Sequence, residues 1–488
     1  MKNKLITHIF IIIASLTIIF TCYSCDDIFE QKAGSRITPE NHYSDSIDID
    51  LSLRGAMTPL TEVMPNLVLI DGLFTDMMDV TSNADSYMEE LNEHTVSISN
   101  PYINPAAFYK TIINLNEVLK NIDRVQVSDP NVNDFYIRAY KGALIGLRTW
   151  VYFTLSKLYG EVAWIEDNLE ELPTTDPVYI QKNALLDTLI NQLKPYIQTN
   201  NKILEIRVQK YPNNKALIGE MYLEQDRYDS AAYYLKLGME SHGNEKLIYK
   251  VTNEYEKERW QDIFTNSEGM DNSEIISVIP FDLTEGQTNP LFTWSFTQYA
   301  IKPSNSIIDL FLAQTPLKGD IDYRGIGTSI DTLSPQMPFI KKYILGDYRK
   351  NNIILSRAGD IHLLLAEAVN RLGDTETALA LLNHGFNAMS KTPLAYRYWV
   401  ENVGIRGRAY LKKRTIPKEI NEDPDQLMIF IEDLIIEERA LELAFEGKRW
   451  FDLTRIARRR NDVNYIANIV TPKYSDQAKI SKVSNILK

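Results

Sequence analysis

Stretches whose apolar residues recur every three or four positions alternate along the chain with stretches that have no such period. Over 108–122, Phe108, Ile112, Leu115, Val118, Leu119 and Ile122 fall on one face of a helix. The segment 143–159 carries Leu144, Leu147, Trp150, Val151, Phe153, Leu155 and Leu158, and its Arg148 and Lys157 argue against a membrane span. A more amphipathic helix is predicted over 185–197, after a loop closed by Pro173 and Pro177.

Two segments share a finer pattern. In 215–238, Ile218, Gly219, Tyr222, Tyr228, Ala231, Leu235 and Gly238 follow the steps of the tetratricopeptide unit, a helix-turn-helix of about 34 residues. Small Gly219 and Ala231 let the two helices approach, and Tyr222 and Tyr228 fill the space around them. Lys215 and Asp226 stand where the pattern has a tryptophan and a turn glycine. A second copy over 363–389 places Leu365, Ala366, Gly373, Ala378, Leu382 and Gly385 at equivalent steps, with Gly373 and Asp374 at the turn. Between these copies, 262–350 loses the helical period and carries Pro280, Pro290, Pro303, Pro316, Pro335 and Pro338, with β-prone pieces such as 274–279. Long irregular segments inside a domain are usually functional or disordered, and the aromatic content here argues against disorder. The expected fold is mostly α: tetratricopeptide-like repeats with a long, loop-rich insertion carrying short β pieces.

The first residues follow a different logic. Lys2 and Lys4 precede an apolar run over 5–20, which ends in Thr21-Cys22-Tyr23-Ser24-Cys25 and then Asp26-Asp27. That is a signal-peptide layout, and its apolar run is short for a span of about 20 residues. The chain has two cysteines, Cys22 and Cys25, so its body has no disulfide framework. A cysteine at the cleavage junction resembles a bacterial lipoprotein signal. Cys25, between Ser24 and an acidic pair, is the favoured lipidation site, with Cys22 the alternative. Residues 1–24 are then a leader, 25–45 a lipidated tether, and 46–488 one domain with parts 46–261, 262–350 and 351–488. A formal charge of −13 excludes the basic footprint that nucleic-acid binding requires.

Residues 434–456 read LIIEERALELAFEGKRWFDLTRI. Their Arg439, Glu442, Leu443, Phe445, Glu446, Gly447, Arg449, Asp452, Leu453 and Arg455 resemble the C-terminal signature of the SusD/RagB family of outer-membrane nutrient-binding lipoproteins. The stretches CDDIFE, GLRTWVYFTLSKLYGEV and SRAGDIHLLLAEAVNRLGDTETALALLN resemble other parts of that family in the expected order. GDIDYRG resembles its Asp-x-Arg element, here Asp322 and Arg324 around Tyr323. The signature also has a plain physical reading. Leu434, Leu441 and Phe445 lie on one helix face, Arg439 and Glu442 pair at i, i+3, Gly447 ends the helix, and Trp450 begins a second stripe. Glu437, Glu438, Glu442 and Glu446 then read as fold-forming ion pairs and caps. The family's usual proline- and glycine-rich ending is not recognisable after Arg460.

No zinc motif, nucleophile elbow or phosphate loop is present, and the histidines beyond the leader (His42, His94, His242, His362 and His384) are scattered singly. His362, in an apolar helical run, reads as a core residue. The expectation is a binding protein with no active site, metal or cofactor. Sugars offer C–H faces to flat aromatics and hydroxyl rims to Asn, Asp and Arg. Trp294 and Tyr299 in the insertion are the candidate platforms, although the alternation of Phe292, Trp294 and Phe296 equally fits a strand burying one face. A second candidate wall is 71–87, with Phe74, Asp76, Asn83 and Tyr87; Tyr323 and Arg324 are further candidates. The resemblance implies a TonB-dependent, SusC-like transporter as partner, an outer-membrane lipid anchor facing the cell exterior, and a glycan ligand. A peptide ligand, or a repeat scaffold that binds only protein, is the alternative.

Overall fold

Local capping sets where the helices begin. Asp45, Asp85, Asn133, Asn213, Asp374 and Asp423 each accept backbone N–H groups from the first turn of the helix that follows. The computed structural model describes residues 42–166, 176–197, 211–240, 248–251, 260, 261, 263, 264, 274–334, 336–343 and 351–488. Cys22, Cys25, most of the tether, His242 and Pro173 lie outside the described residues.

In chain order the main elements are α1 (Ser46–Met57), α2 (Leu60–Phe74), β1 (Met78–Val80), α3 (Ser86–Asn92), α4 (Ala106–Ser128) and α5 (Asp134–Tyr159). A hairpin of β2 (Val162–Trp164) and β3 (Val178–Ile180) leads to α6 (Lys182–Leu193) and the pair α7 (Asn214–Glu224) and α8 (Tyr228–Met239). Then come β4 (Ile275–Ile279), β5 (Ile301–Pro303), α9 (Asn305–Leu312), β6 (Ile330–Thr332), β7 (Pro338–Ile340) and β8 (Ile353–Arg357). The C-terminal part holds α10 (Ala358–Arg371), α11 (Thr375–Leu382), α12 (Pro424–Glu442), α13 (Arg449–Arg460), α14 (Tyr465–Val470) and α15 (Gln477–Ile486). Helices dominate, and the expected mostly-α repeat fold is what forms. Among the described residues no helix is long and apolar enough to cross a membrane.

The repeats pack as their small residues require. Helix α8 lies against both α7 and α10, and α10 against α11 and α12. A Cβ on Gly219 would come within 2.7 Å of the Leu235 backbone nitrogen, and one on Gly238 within 2.8 Å of that of Ala216. At the turns, Gly373 adopts φ +84° and Asp226 φ +59°. Asp226 therefore takes the left-handed conformation of the missing glycine, which aspartate tolerates better than most residues. Its carboxylate accepts from Arg458 and Arg459 at 2.7 and 3.0 Å, so α13 holds the turn in place.

The described part of the insertion carries the expected short β pieces, β4 to β7, together with α9, and β4 (within the β-prone 274–279) pairs antiparallel with β8. Three expectations need correction. Phe292, Trp294 and Phe296 lie on a helical turn, not a strand. Pro290 accepts from the Trp294 N–H, and Gln298 N–H reaches Thr293 in a π-type i+5 bond of 2.8 Å. In the signature, α12 stops at Glu442, and Phe445 sits beyond it at φ +65°. Arg439 does not pair with Glu442 but turns to Asp360 and Asp452.

The end of the chain is also more than a polar tail. Lys473 is buried, and its ammonium donates to the carbonyls of Leu73, Thr75 and Met78, while Tyr474 donates to the Asn92 carbonyl. Lys479 and Lys482 pair with Glu93. The tail thus holds down α2, β1 and α3, whose end carries the second candidate wall.

Candidate functional site

Strand pairing brings the two candidate walls together. Strand β1 runs antiparallel to β5 with Met78 opposite Pro303, Asp79 opposite Lys302 and Val80 opposite Ile301. The residues after β1 therefore lie beside the residues before β5. Thr81 N–H donates to the Ala300 carbonyl at 3.0 Å, its hydroxyl to the Tyr299 carbonyl, and the Asn83 amide to the Gln298 carbonyl at 3.1 Å. Tyr299 takes φ +50° at this junction, a conformation few residues other than glycine adopt.

The π-type turn sorts its aromatics by face. Phe292 stacks on Phe296 with ring centres 4.9 Å apart, Phe296 meets Phe339 edge-on, and the Ser295 hydroxyl accepts from Ile340 N–H at 2.7 Å. These three residues fasten the turn to β7. Trp294 makes an edge contact of 5.9 Å with Tyr102 and remains half-buried. The Tyr102 hydroxyl donates to Asp85 at 2.8 Å; burial, aided by that carboxylate, pushes its pKa upward, so it stays a neutral donor. Asn100 donates to the Tyr87 carbonyl at 3.0 Å. Segments 81–87, 100–102 and 294–299 thus converge on one surface with half-buried Trp294, Tyr299, Tyr102 and Tyr87, and exposed Asn83, Asp85 and Gln298. Aromatic faces and amide or carboxylate rims are the two chemistries a sugar ring needs.

Other candidates lie elsewhere. Asp76 is buried and forms a two-pronged pair with Arg449, both bonds 2.9 Å. Arg324 is fully buried, bonded to Asp322, Glu438 and Glu442. With their hydrogen-bonding capacity spent inside the fold, neither presents a group to a ligand. Tyr323 is largely buried and donates to the Arg408 carbonyl at 3.0 Å. Phe74 packs edge-on against Trp450, 5.1 Å between centres, beside His94. The Trp450 side chain is half-buried, and its backbone N–H donates to the Asp71 carboxylate at 2.6 Å.

Signature carboxylates Glu438, Glu442 and Glu446 sit in a buried ionic cluster. Glu442 pairs with Arg324, Arg357 and Arg408; Glu446 with Lys342 and Arg357; Glu438 with Arg324 and Arg406; Glu274 with Arg357 and Arg408. Burial alone would raise the Glu442 pKa, but the three guanidiniums hold it well below the usual carboxylate range. A carboxylate so held stays ionised and has no proton to give, whereas a glycosidase acid must protonate its leaving group. Arg455 closes a similar pair with Glu367, and Glu437 pairs with Arg414. Gly447 takes φ +74° in the link between α12 and α13. His362 is buried, its ring nitrogen 2.7 Å from the Ala358 carbonyl. Among the described residues, no group of three or more His, Cys, Asp or Glu is placed to hold a metal ion.

Sequence reasoning missed Tyr102, Asp85 and Gln298. The Asn100-Pro101 turn start and the capping position of Asp85 were readable, but not their approach to Trp294.

The fold is that of a helical-repeat protein. The sequence model of the SusD family matches residues 327–486. SusD-like protein P38 of Formosa agariphila is 24% identical, with 93% of this chain and 92% of the relative covered. A SusD superfamily protein from Bacteroides vulgatus superposes with a TM-score of 0.69 at 17% identity, over 90% of this chain and 92% of that one. Surface glycan-binding protein A from Bacteroides uniformis gives 0.62 at 18% identity, over 88% and 92%. The family-model match, the SusD-like relatives and the SusD superfamily structures together support the resemblance to the SusD/RagB family that the sequence carries.

Proposed function

We propose that the protein captures a nutrient glycan on the surface formed by Trp294, Tyr299, Tyr102 and Asn83, and hands it to a TonB-dependent transporter barrel. The observation that carries this reading is the meeting of the two walls through β1 and β5. The name of the Bacteroides uniformis neighbour supports a glycan over a peptide. The protein binds and does no chemistry.

One sugar face removes on the order of 100 Å² from water, worth about 2.5 kcal/mol. Two platforms and a few hydrogen bonds leave about 5–7 kcal/mol after the losses of association, a Kd of roughly 10 μM to 0.2 mM. Capture of that strength permits release to a transporter. Trp294→Ala and Tyr299→Ala should each weaken glycan binding about tenfold or more in isothermal titration, with little change in Tm. Normal binding by both variants places the site elsewhere, and binding of peptides alone supports the peptide reading.

The same proposal puts the protein on the cell exterior, anchored through lipid on Cys25. Cys25→Ala should release it from the membrane fraction or block its processing. Unchanged membrane retention with normal cleavage refutes Cys25 and turns attention to Cys22.

A further inference from the structure

The wall that carries Asn83, Asp85 and Tyr87 is strung between Met78 and Asn92, and both of those feet are fastened to one C-terminal segment, 473–482. At the first foot, Lys473 is buried, and its ammonium donates to the carbonyls of Leu73, Thr75 (2.8 Å) and Met78 (3.3 Å). An ammonium has three N–H donors and no acceptor, so three carbonyls use it completely. Leu73 lies in the last turn of α2, where carbonyls lack helical partners and the helix dipole favours a positive charge. At the second foot, the Tyr474 hydroxyl donates to the Asn92 carbonyl at the end of α3. Lys479 and Lys482 pair with Glu93 at 2.9 and 2.8 Å. The feet are also tied to each other, for the Asn92 amide donates to the Asp79 carboxylate at 2.9 Å.

This segment has a footing of its own. Val470, Tyr474 and Val483 pack with Ile436 of α12 and with Leu453 and Ile456 of α13, in a hydrophobic cluster separate from the main core. From that base it reaches both feet of the wall. Between the feet, Thr81 bonds to Tyr299 and Ala300, and Asn83 to Gln298. Fixing the ends of such an excursion removes conformations that a ligand would otherwise have to freeze out, which is how pre-organisation raises affinity.

We propose that the C-terminal segment 473–482 is a bracket for the candidate site, with Lys473 and Tyr474 as positioning residues that touch no ligand and set how the Asn83–Tyr87 wall meets Tyr299 and Gln298. Docking of the bracket and occupation of the wall are then coupled, each strengthening the other. The coupling rests on the binding reading above, whereas the positioning of the wall stands apart from it.

The test uses the full-length protein in detergent and two variants, Lys473→Met, which keeps the apolar stem, and Tyr474→Phe, which keeps the ring. Gly238→Ala, which crowds α7 against α8 far from the wall, serves as a control that loses stability elsewhere. Hydrogen exchange read by mass spectrometry follows the amides of Thr81, Glu93 and Ser304 at the wall and those of Leu217 and Ala231 in the repeat. Lys473→Met should speed exchange at Thr81 and Ser304, and Tyr474→Phe at Glu93, by about threefold to tenfold, with Leu217 and Ala231 unchanged. Gly238→Ala should show the reverse pattern. Native gels containing laminarin, xyloglucan, galactomannan or alginate identify a glycan that retards the wild type. Both bracket variants should bind that glycan about fivefold more weakly, and the bound glycan should slow exchange at Glu93 in the wild type. Unchanged exchange at the wall in both folded variants overturns the bracket. Equal acceleration at the wall and in the repeat also overturns it, because Lys473 and Tyr474 then serve general stability. A loosened wall with wild-type affinity overturns the coupling. Retardation of the wild type by none of the four glycans overturns the glycan reading, and the exchange rates alone then decide the bracket.

Discussion

Asp71 shows how a single side chain records its surroundings. It is fully buried and accepts the Trp450 N–H at 2.6 Å. Burial pushes its carboxyl up to about 7, more than the Trp450 bond lowers it. A carboxyl whose folded pKa exceeds its unfolded value contributes stability that is complete below about pH 4 and lost as pH rises through 7. Asp71→Asn keeps an acceptor for Trp450 but never ionises. The variant should therefore melt near wild type at pH 4 and higher at pH 8, by a margin worth on the order of 1–3 kcal/mol. Equal Tm differences at both pH values would show that Asp71 stays ionised in the fold. Nothing in the run Ile70-Asp71-Gly72 announces this burial, because the partner is nearly four hundred positions away.

At the scale of elements, two glycines make opposite predictions. Gly55 lies inside α1 with nothing within 4 Å of an added Cβ, whereas Gly238 lies in α8 with the Ala216 backbone 2.8 Å from that position. Helix propensity alone favours alanine at both by up to about 1 kcal/mol. Gly55→Ala should raise stability by about 0.5–1 kcal/mol, while Gly238→Ala should lower it by about 1–3 kcal/mol because α7 cannot yield without repacking. Urea denaturation of both variants tests the pair, and the same sign for both would refute the close approach of α7 and α8. The repeat helices were legible because small residues at fixed steps betray helix contacts. Helices α1, α2 and α3 were not: Pro65 interrupts α2 and its apolar residues run almost all round, so no stripe stands out.

For the whole molecule, the ionic cluster ties distant parts of the chain into one body. Glu442 of α12 meets Arg324 from the insertion, Arg357 at the end of β8 and Arg408. Glu442→Ala leaves three guanidiniums buried with less compensation and should cost about 3–5 kcal/mol. Its chemical-denaturation midpoint should fall without a selective change in glycan affinity. Selective loss of binding in a stable variant would make the cluster part of the site. The buried C-terminal segment adds a second tie, through Lys473 and Tyr474, to the elements that lead into the Asn83–Tyr87 wall.

The order of residues by itself determined the repeat helices and the signature, and it marked out the segments that form the candidate site. Those features are local: each depends on spacing within a few turns or on a short run of polarity, which a linear chain displays directly. Only the tertiary structure decided that Trp294 faces Tyr102 while Phe292 and Phe296 are anchored to β7. It also decided that Asp76 and Arg324 are spent on Arg449 and Glu442, and that β1 lies beside β5. Those outcomes rest on pairings between residues tens to hundreds of positions apart. No local pattern encodes which buried carboxylate meets which guanidinium, because any complementary pair satisfies the same electrostatics until packing selects one.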